Sequence, residues 1–211
     1  MTASITLCLK NARLDLLGLL LGVCLGWSLC APVRAESVAP DISSLKFERS
    51  ADAVLLSANI RFELSTAIEE ALLKGVPMIF VAELELFRER WYWTNKRVAS
   101  AERHMRLAYQ PLTRRWRLNV ASGTITNAAL AVALNQNFDA LPDALAAVQR
   151  LSRWKVAELA DLDLEQQHMV VFRFRLDTSQ LPRPFQIGTL GQSDWNIDFL
   201  IRQPLLLETL K

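Results

Sequence analysis

Apolar and polar residues alternate with a period of two along much of this chain, and this alternation constrains its fold more than any other sequence feature. Between residues 54 and 64 the even-numbered positions are apolar and most odd-numbered positions are polar, and similar alternation recurs in 105–109, 112–120, 170–176 and 195–199. Strands with one apolar face are typical of antiparallel sheets that bury one face and expose the other. The sequence therefore predicts a mainly β fold, either a single antiparallel β-sandwich or a strongly curved sheet of about seven to nine strands.

Two short stretches have helical periodicity instead. Thr66 and Glu69 have the spacing of a capping box, and Gly75 is a helix stop. The apolar stripe between them consists of Ile68, Leu72 and Leu73. The second stretch, residues 141–151, has Pro142 in its first turn, where proline is favoured. We expect these two short helices to cover an open end or face of the β structure.

The first 35 residues have the layout of a secretory signal peptide. Lys10 and Arg13 precede an uncharged run from 16 to 30, and Val33 and Ala35 supply the small residues that a cleavage site requires. We predict cleavage after Ala35, which leaves residues 36–211 as a single exported β-rich domain. The alternative is an uncleaved leader that anchors the chain to the inner membrane, although a span usually needs about 20 apolar residues.

Cysteine and charge counts exclude several classes of protein. All three cysteines lie in the leader, so the predicted domain contains no disulfide, thiolate nucleophile or cysteine-ligated metal. The chain has 24 Lys and Arg and 22 Asp and Glu, and removal of the leader leaves equal numbers of both. The domain is therefore neutral overall. Its charges are unevenly distributed, because residues 88–117 are rich in Lys and Arg, whereas the charged residues of 36–87 are mainly acidic.

The stretch RERWYWTNKR combines aromatic residues with cations at the end of a long predicted strand, residues 78–93. The apolar phase of this strand changes at Leu86 and Phe87, which predicts a β-bulge near Phe87 and Arg88. Such a bulge would turn Trp91 and Trp93 toward the core. A hairpin turn is expected to follow at 94–96.

This pattern argues against nucleic acid as a ligand. Single-strand binding surfaces need cations and stacking aromatic residues on one platform. Trp116 falls on the apolar face of its predicted strand, whereas Arg115 and Arg117 fall on the opposite face. The simplest interpretation of these arginines is a solvated face balanced by acidic residues on neighbouring strands, namely Glu63, Glu83 and Glu85.

The sequence contains few residues in arrangements that suit catalysis or metal binding. His104 and His168 are the two histidines, and His104 is predicted on a polar strand face while His168 is predicted at a strand end. Their spacing to carboxylates matches no tight metal-ligand motif. We expect no catalytic residue, no cofactor and no metal, and a hydrolase is a remote alternative.

Three stretches carry a resemblance to a known family. They are KGVPMIFVAELELFRERWYW at 74–93, RLAYQPLTRRWRL at 106–118 and FRFRLDTSQLPRPFQI at 172–187. Together they resemble domain-of-unknown-function family 4390, a family of exported proteins from Gram-negative bacteria, over roughly residues 45 to 199. The resemblance implies a periplasmic or envelope-associated protein and brings no catalytic residues. Genes of this family lie beside those of a nitrogen-regulation-type membrane sensor kinase, which implies such a kinase as one candidate partner.

The stretch LDTSQLPRP predicts a structural turn followed by an extended ledge. Asp177 precedes Thr178 and Ser179 in the arrangement of an Asx turn. Pro182 and Pro184 hold the chain extended on either side of Arg183. The ledge is either a partner-docking segment or a rigid connection into the last strands.

These observations favour a non-enzymatic module that binds a membrane-protein partner or an anionic envelope component, including a membrane surface. The candidate partner-binding residues are Arg114, Arg115, Arg117 and Arg183. The alternative function is a periplasmic carrier or sensor of an apolar small molecule held in an apolar pocket. That pocket would be lined by Trp91, Trp93, Trp116 and Phe172.

Overall fold

The computed structural model describes residues 41–88, 95–123, 134–163, 166–182 and 195–208. Ten strands and two α-helices occur in these ranges. In chain order they are β1 (Asp41–Ser50), β2 (Ala53–Arg61), α1 (Thr66–Leu73), β3 (Met78–Arg88), β4 (Lys96–Gln110), β5 (Arg115–Ser122), β6 (Leu134–Phe138), α2 (Leu141–Gln149), β7 (Arg150–Glu158), β8 (His168–Leu176), β9 (Asp198–Pro204) and β10 (Leu207–Glu208).

The strands form two sheets. The small sheet has the order β10-β1-β2-β7, and the large sheet has the order β6-β5-β4-β3-β8-β9. Neighbouring strands are antiparallel except β10, which pairs parallel to β1. The chain passes from the edge of the large sheet at β9 to the edge of the small sheet at β10. The predicted mainly β, sandwich-like fold with two short helices is confirmed.

Side chains from both sheets form one hydrophobic cluster. The even-numbered residues of β2, and those of β3 as far as Leu86, are buried in it, as their alternation predicts. The Phe62 ring lies 5.6 Å from the Phe80 ring and 5.4 Å from the Phe174 ring, so it connects the end of β2 to the large sheet. Each fully buried phenylalanine or leucine side chain contributes about 1.5–3 kcal/mol of transfer free energy, which makes this cluster the main stabilising element.

The first helix is capped at both ends. Its N-cap is Ser65, whose Oγ accepts a hydrogen bond from the Ile68 N–H at 3.3 Å, so the capping position predicted at Thr66 is wrong by one residue. At the other end Gly75 has φ +84° and its N–H donates to the Leu72 carbonyl at 2.8 Å, which is typical of a Schellman motif. Leu73, predicted in the buried stripe, is 55% exposed.

The register of the large sheet shifts where the sequence predicts a bulge. Leu86 pairs with Ala99 and Phe87 pairs with Arg97, which leaves Val98 as the extra residue. The pairing of β3 with β8 is continuous through the same positions. The location of the irregularity is therefore confirmed, but the extra residue belongs to β4 and not to β3. Trp91 and Trp93 lie outside the described residues, and Lys96, predicted in the hairpin turn, is instead the first residue of β4.

Several other sequence predictions need correction. Strands β1, β6, β7 and β10 were not predicted, because their residues do not alternate regularly or are too few, and the ten described strands exceed the expected seven to nine. Leu112 was predicted to begin a strand, but it lies in the turn before β5 and its side chain is fully exposed. The second helix ends at Gln149, and Leu151 belongs to β7.

Candidate binding surface on the large sheet

The outer face of the large sheet, which is turned away from the core, carries ion pairs that run from β4 across β3 to β9. Arg173 donates to Asp198 through Nε at 2.9 Å and Nη2 at 2.5 Å. Arg175 donates to Glu83 Oε1 through Nε at 3.1 Å and Nη2 at 2.7 Å. In both pairs the partners are diagonal neighbours on adjacent strands, which long side chains can bridge.

A third pair joins Arg97 Nη1 to Glu85 Oε1 at 2.7 Å. We call this region the paired half, defined by Glu83, Glu85, Arg97, Arg173, Arg175 and Asp198. A groove of about 640 Å³ crosses it, and the exposed Arg202 shares this groove with three carboxylates, those of Glu83, Glu85 and Asp198.

The pKa values of Arg173 and Asp198 reflect their pairing. The hydrogen bond and charge of Asp198 raise the pKa of Arg173. In return, the hydrogen bond from Arg173 holds the pKa of Asp198 below its usual value. The cations of the paired half are thus neutralised within the molecule.

The other half of the outer face is different, because no acidic residue occurs in the sequence between Glu102 and Asp139. We call it the basic half and define it by Arg106, Arg114, Arg115 and Arg117. Arg115 lies 3.3 Å from Asp139, and this is the one ion pair of these four arginines within the described ranges. Nε of Arg117 is buried and has no hydrogen-bond partner among the described residues.

The basic half ends in the hairpin between β4 and β5, which continues past the start of β3. Met78, the first residue of β3, pairs with Leu107, so β4 continues three residues farther. This extends the hairpin by about 10 Å beyond the start of β3. The Tyr109 and Trp116 rings lie 4.8 Å apart across the hairpin and stiffen it. Residues 111–115 form what we call the hairpin tip.

The tip presents its side chains to solvent. Leu112, Arg114 and Arg115 are all exposed. Arg114 has φ +52°, in the left-handed region that residues other than glycine rarely adopt. Thr113 Oγ1 donates to Gln110 Oε1 at 3.2 Å across the turn. Arg114 makes no hydrogen bond or ion pair within the part of the chain that the structure describes.

The structure therefore divides the predicted partner-binding residues. Arg114 and Arg115 lie together at the tip, whereas Arg117 lies farther along β5 with a half-buried side chain. Arg106 was missed by sequence reasoning, and its outward position on β4 beside Asn119 follows from the register. The long stretch without acidic residues was the signal that could have identified it. Arg183 lies outside the described ranges, as does Pro184.

Of the residues predicted to line an apolar pocket, Trp91 and Trp93 lie outside the described residues, and the other two lie apart. Trp116 is on β5 and Phe172 is on β8, and two strands separate them in the sheet order, so their backbones are about 14 Å apart. Both side chains are buried in the core cluster. Neither lines the groove of the paired half nor a second groove of about 650 Å³ beside Trp154.

The two histidines are buried and hydrogen-bonded. His104 is on the outer face, as its phase predicts, with Nδ1 2.6 Å from the Gly123 carbonyl oxygen and Nε2 3.3 Å from Glu102 Oε1. The contact with Gly123 ties the end of β5 to β4. His168 begins β8, and its Nδ1 lies 3.0 Å from the Gln166 carbonyl oxygen. Among the described residues, no group of three or more His, Cys, Asp or Glu is arranged to hold a metal ion.

Asp177 has the geometry of an Asx turn. Its Oδ1 accepts from the Ser179 N–H at 3.0 Å and from Ser179 Oγ at 2.6 Å. Partial burial pushes the pKa of Asp177 upward, but these hydrogen bonds and the charge of Arg175 outweigh burial and leave the pKa lowered. Leu181 follows in an extended conformation with a buried side chain, and Pro182 after it is exposed.

Arg103 is a further residue that sequence reasoning missed. It points to the core side of β4, where its guanidinium lies 5.1 Å from the centre of the Trp154 ring on β7. Burial lowers the pKa of Arg103. This cation–π contact joins the two sheets, and it assigns Arg103 to packing and not to the outer surface.

Comparison with known proteins relates the chain to one family. No curated protein and no solved structure matches it. Within the described residues no helix is long and apolar enough to cross a membrane. The model of the family described as Domain of unknown function (DUF4390) matches residues 39–202, a range that includes β1 to β8 and most of β9. Because this match covers most of the chain, the protein belongs to the DUF4390 family.

Proposed function

We propose that this chain is a non-enzymatic binding module of the cell envelope that docks onto an anionic envelope component through the basic half of its large sheet. One observation carries the proposal. The arginines of the paired half are neutralised by carboxylates, whereas the hairpin tip exposes Arg114 with no carboxylate partner among the described residues and Arg115 with one exposed partner, Asp139.

Hydrogen-bond capacity separates the two halves. A guanidinium has five N–H donors in a fork that fits carboxylate or phosphate oxygens. Arg173 and Arg175 already direct donors of this fork at Asp198 and Glu83. The Arg114 guanidinium is exposed and keeps all its donors for an external anion.

The backbone of the tip supports the same conclusion. A left-handed conformation at a residue other than glycine costs on the order of 1 kcal/mol or more. Glycine would adopt the φ of +52° found at Arg114 without this cost. An arginine at a position that favours glycine is therefore consistent with a role for its side chain that does not serve stability.

The predicted leader and the family resemblance set the expected location of the partner. If the chain is exported, the tip meets envelope components, among which a membrane protein such as a sensor kinase is one candidate. Attraction between the basic half and an acidic surface would accelerate association and weaken as salt concentration rises.

Charge reversal tests the proposal. Replacing Arg114→Glu and Arg115→Glu together should reduce co-purification of the chain with envelope membranes by about tenfold or more, because two attractive charges become repulsive. The matched control reverses two other exposed arginines, Arg61→Glu and Arg202→Glu, and should leave co-purification unchanged. Circular dichroism checks that both variants are folded. Unchanged co-purification of the tip variant, or an equal loss in the control, would contradict the proposal.

A further inference from the structure

Leu112 is the most solvent-exposed large apolar residue described in this chain. Its side chain is 100% exposed, and it lies at the outermost turn of the hairpin that protrudes beyond β3. Other exposed leucines, such as Leu134 and Leu200, lie on edge strands of the sheet. Single exposed leucines are common on protein surfaces, so the position and neighbours of Leu112 matter more than its exposure.

The neighbours of Leu112 are a proline and cations. Pro111 precedes it, Thr113 follows it, and Arg114 and Arg115 come next, all of them exposed. An apolar side chain at the apex with guanidiniums behind it matches the layers of a bilayer surface, where acyl chains lie beneath a layer of phosphates. Arginine suits this boundary because its aliphatic stem packs on apolar groups while its head binds phosphate.

The hairpin also holds this arrangement before any partner binds. The Tyr109 and Trp116 rings contact each other at 4.8 Å behind the tip, and Thr113 bonds to Gln110 across the turn at 3.2 Å. A preorganised loop loses little conformational entropy on binding. The tip can therefore bind a flat, fluid surface without a complementary pocket.

From these observations we infer that the hairpin tip is a membrane-surface anchor. Leu112 enters the boundary between lipid headgroups and acyl chains, and Arg114 and Arg115 bind the phosphates of anionic lipids. This inference rests on the proposed function and names its partner as an anionic lipid surface instead of an acidic protein.

Photocrosslinking at the apex tests the anchor. Leu112 is replaced by a photoreactive amino acid, and this variant is purified from the cells that produce it. The protein is irradiated with vesicles of phosphatidylglycerol and phosphatidylethanolamine, or of phosphatidylcholine alone. We expect lipid adducts at position 112 with the anionic vesicles and few with phosphatidylcholine. Position 134 is the matched control, because Leu134 is an exposed leucine at the end of β6 away from the tip.

Vesicle sedimentation measures the contribution of each residue. Leu112→Glu should reduce the tip-dependent binding by about tenfold or more, because the apolar contact is lost. Arg114→Gln and Arg115→Gln should each reduce it on the order of fivefold, the effect of one basic residue at an anionic surface. Leu134→Glu and Arg202→Gln should have no effect.

The outcomes separate the two proposals. Absence of lipid adducts at position 112, or equal adducts at 112 and 134, overturns the lipid anchor. If position 112 forms adducts in cells with a membrane protein but none with lipid, the anchor is wrong and the proposed docking function stands. If position 112 captures neither lipid nor protein and charge reversal leaves co-purification unchanged, both proposals fail.

Discussion

Two halves of one sheet face carry the same type of side chain in different electrostatic settings. In the paired half, Arg175 bonds to Glu83 on the adjacent strand, and both side chains are 31% exposed. In the basic half, Arg114 is exposed at a hairpin tip and meets no carboxylate in the described ranges. The difference shows that a count of arginines says little until the strand register reveals which of them face an acid. We assign stability to the paired half and binding to the basic half.

The largest expected effect is the loss of stability on removal of an ion pair from the paired half. Arg175→Ala removes two hydrogen bonds to Glu83, which then lies between Glu102 on β4 and Arg173 on β8. The free energy of unfolding should fall by about 1–2 kcal/mol, a value that allows for solvent screening of a partly exposed pair. Urea unfolding measures the change. Arg106→Ala, in the basic half, should cost no more than about 0.5 kcal/mol, and equal losses in the two variants would contradict the comparison.

A second prediction compares the effect of glycine on stability at two neighbouring positions of the basic half. Arg114→Gly relieves a left-handed residue, so stability should stay unchanged or rise by up to about 1 kcal/mol, since the gain is offset by a more flexible unfolded chain. Arg115→Gly, at the first residue of β5, should instead lower stability by about 0.5–1 kcal/mol. Thermal unfolding compares the two variants. A clear loss of stability in Arg114→Gly would show that this arginine serves the fold.

The smallest expected effect is in the acid dependence of stability. The pKa of Asp198 is lowered from 3.8 by Arg173, so its contribution to stability is fully present above about pH 3.8 and is lost as pH falls through the lowered value. Arg173→Gln should reduce the acid-dependent loss by less than about 1 kcal/mol, because the pair is largely exposed. Arg114→Gln should leave the pH profile unchanged. Urea unfolding at a series of acidic pH values tests this, and identical profiles for wild type and Arg173→Gln would contradict it.

Much of the fold follows from residue alternation. The strands with strict period two, β2 and β8, are present with the predicted residues buried. Strand β7 was missed because two register shifts against β2 and a positive φ at Arg153 break its alternation. Its apolar positions are Leu151, Trp154, Val156 and Ala157, a spacing that resembles a helix as much as a strand.

The candidate site was only partly predictable. Clustering in the sequence identified Arg114, Arg115 and Arg117, because three arginines lie within four residues. The pairing of Arg173 with Asp198 joins residues 25 positions apart and depends on the register of β8 and β9, which local patterns do not determine. The protrusion of the tip likewise depends on where β3 begins relative to β4.

The most direct test of the central claim is photocrosslinking in living cells from two arginine positions on the same sheet. A photoreactive residue at position 115 probes the basic half, and one at position 202 probes the groove of the paired half. We expect abundant adducts with an envelope component at position 115 and few at position 202. Few adducts at 115, or equal yields at both positions, would contradict the assignment of binding to the basic half.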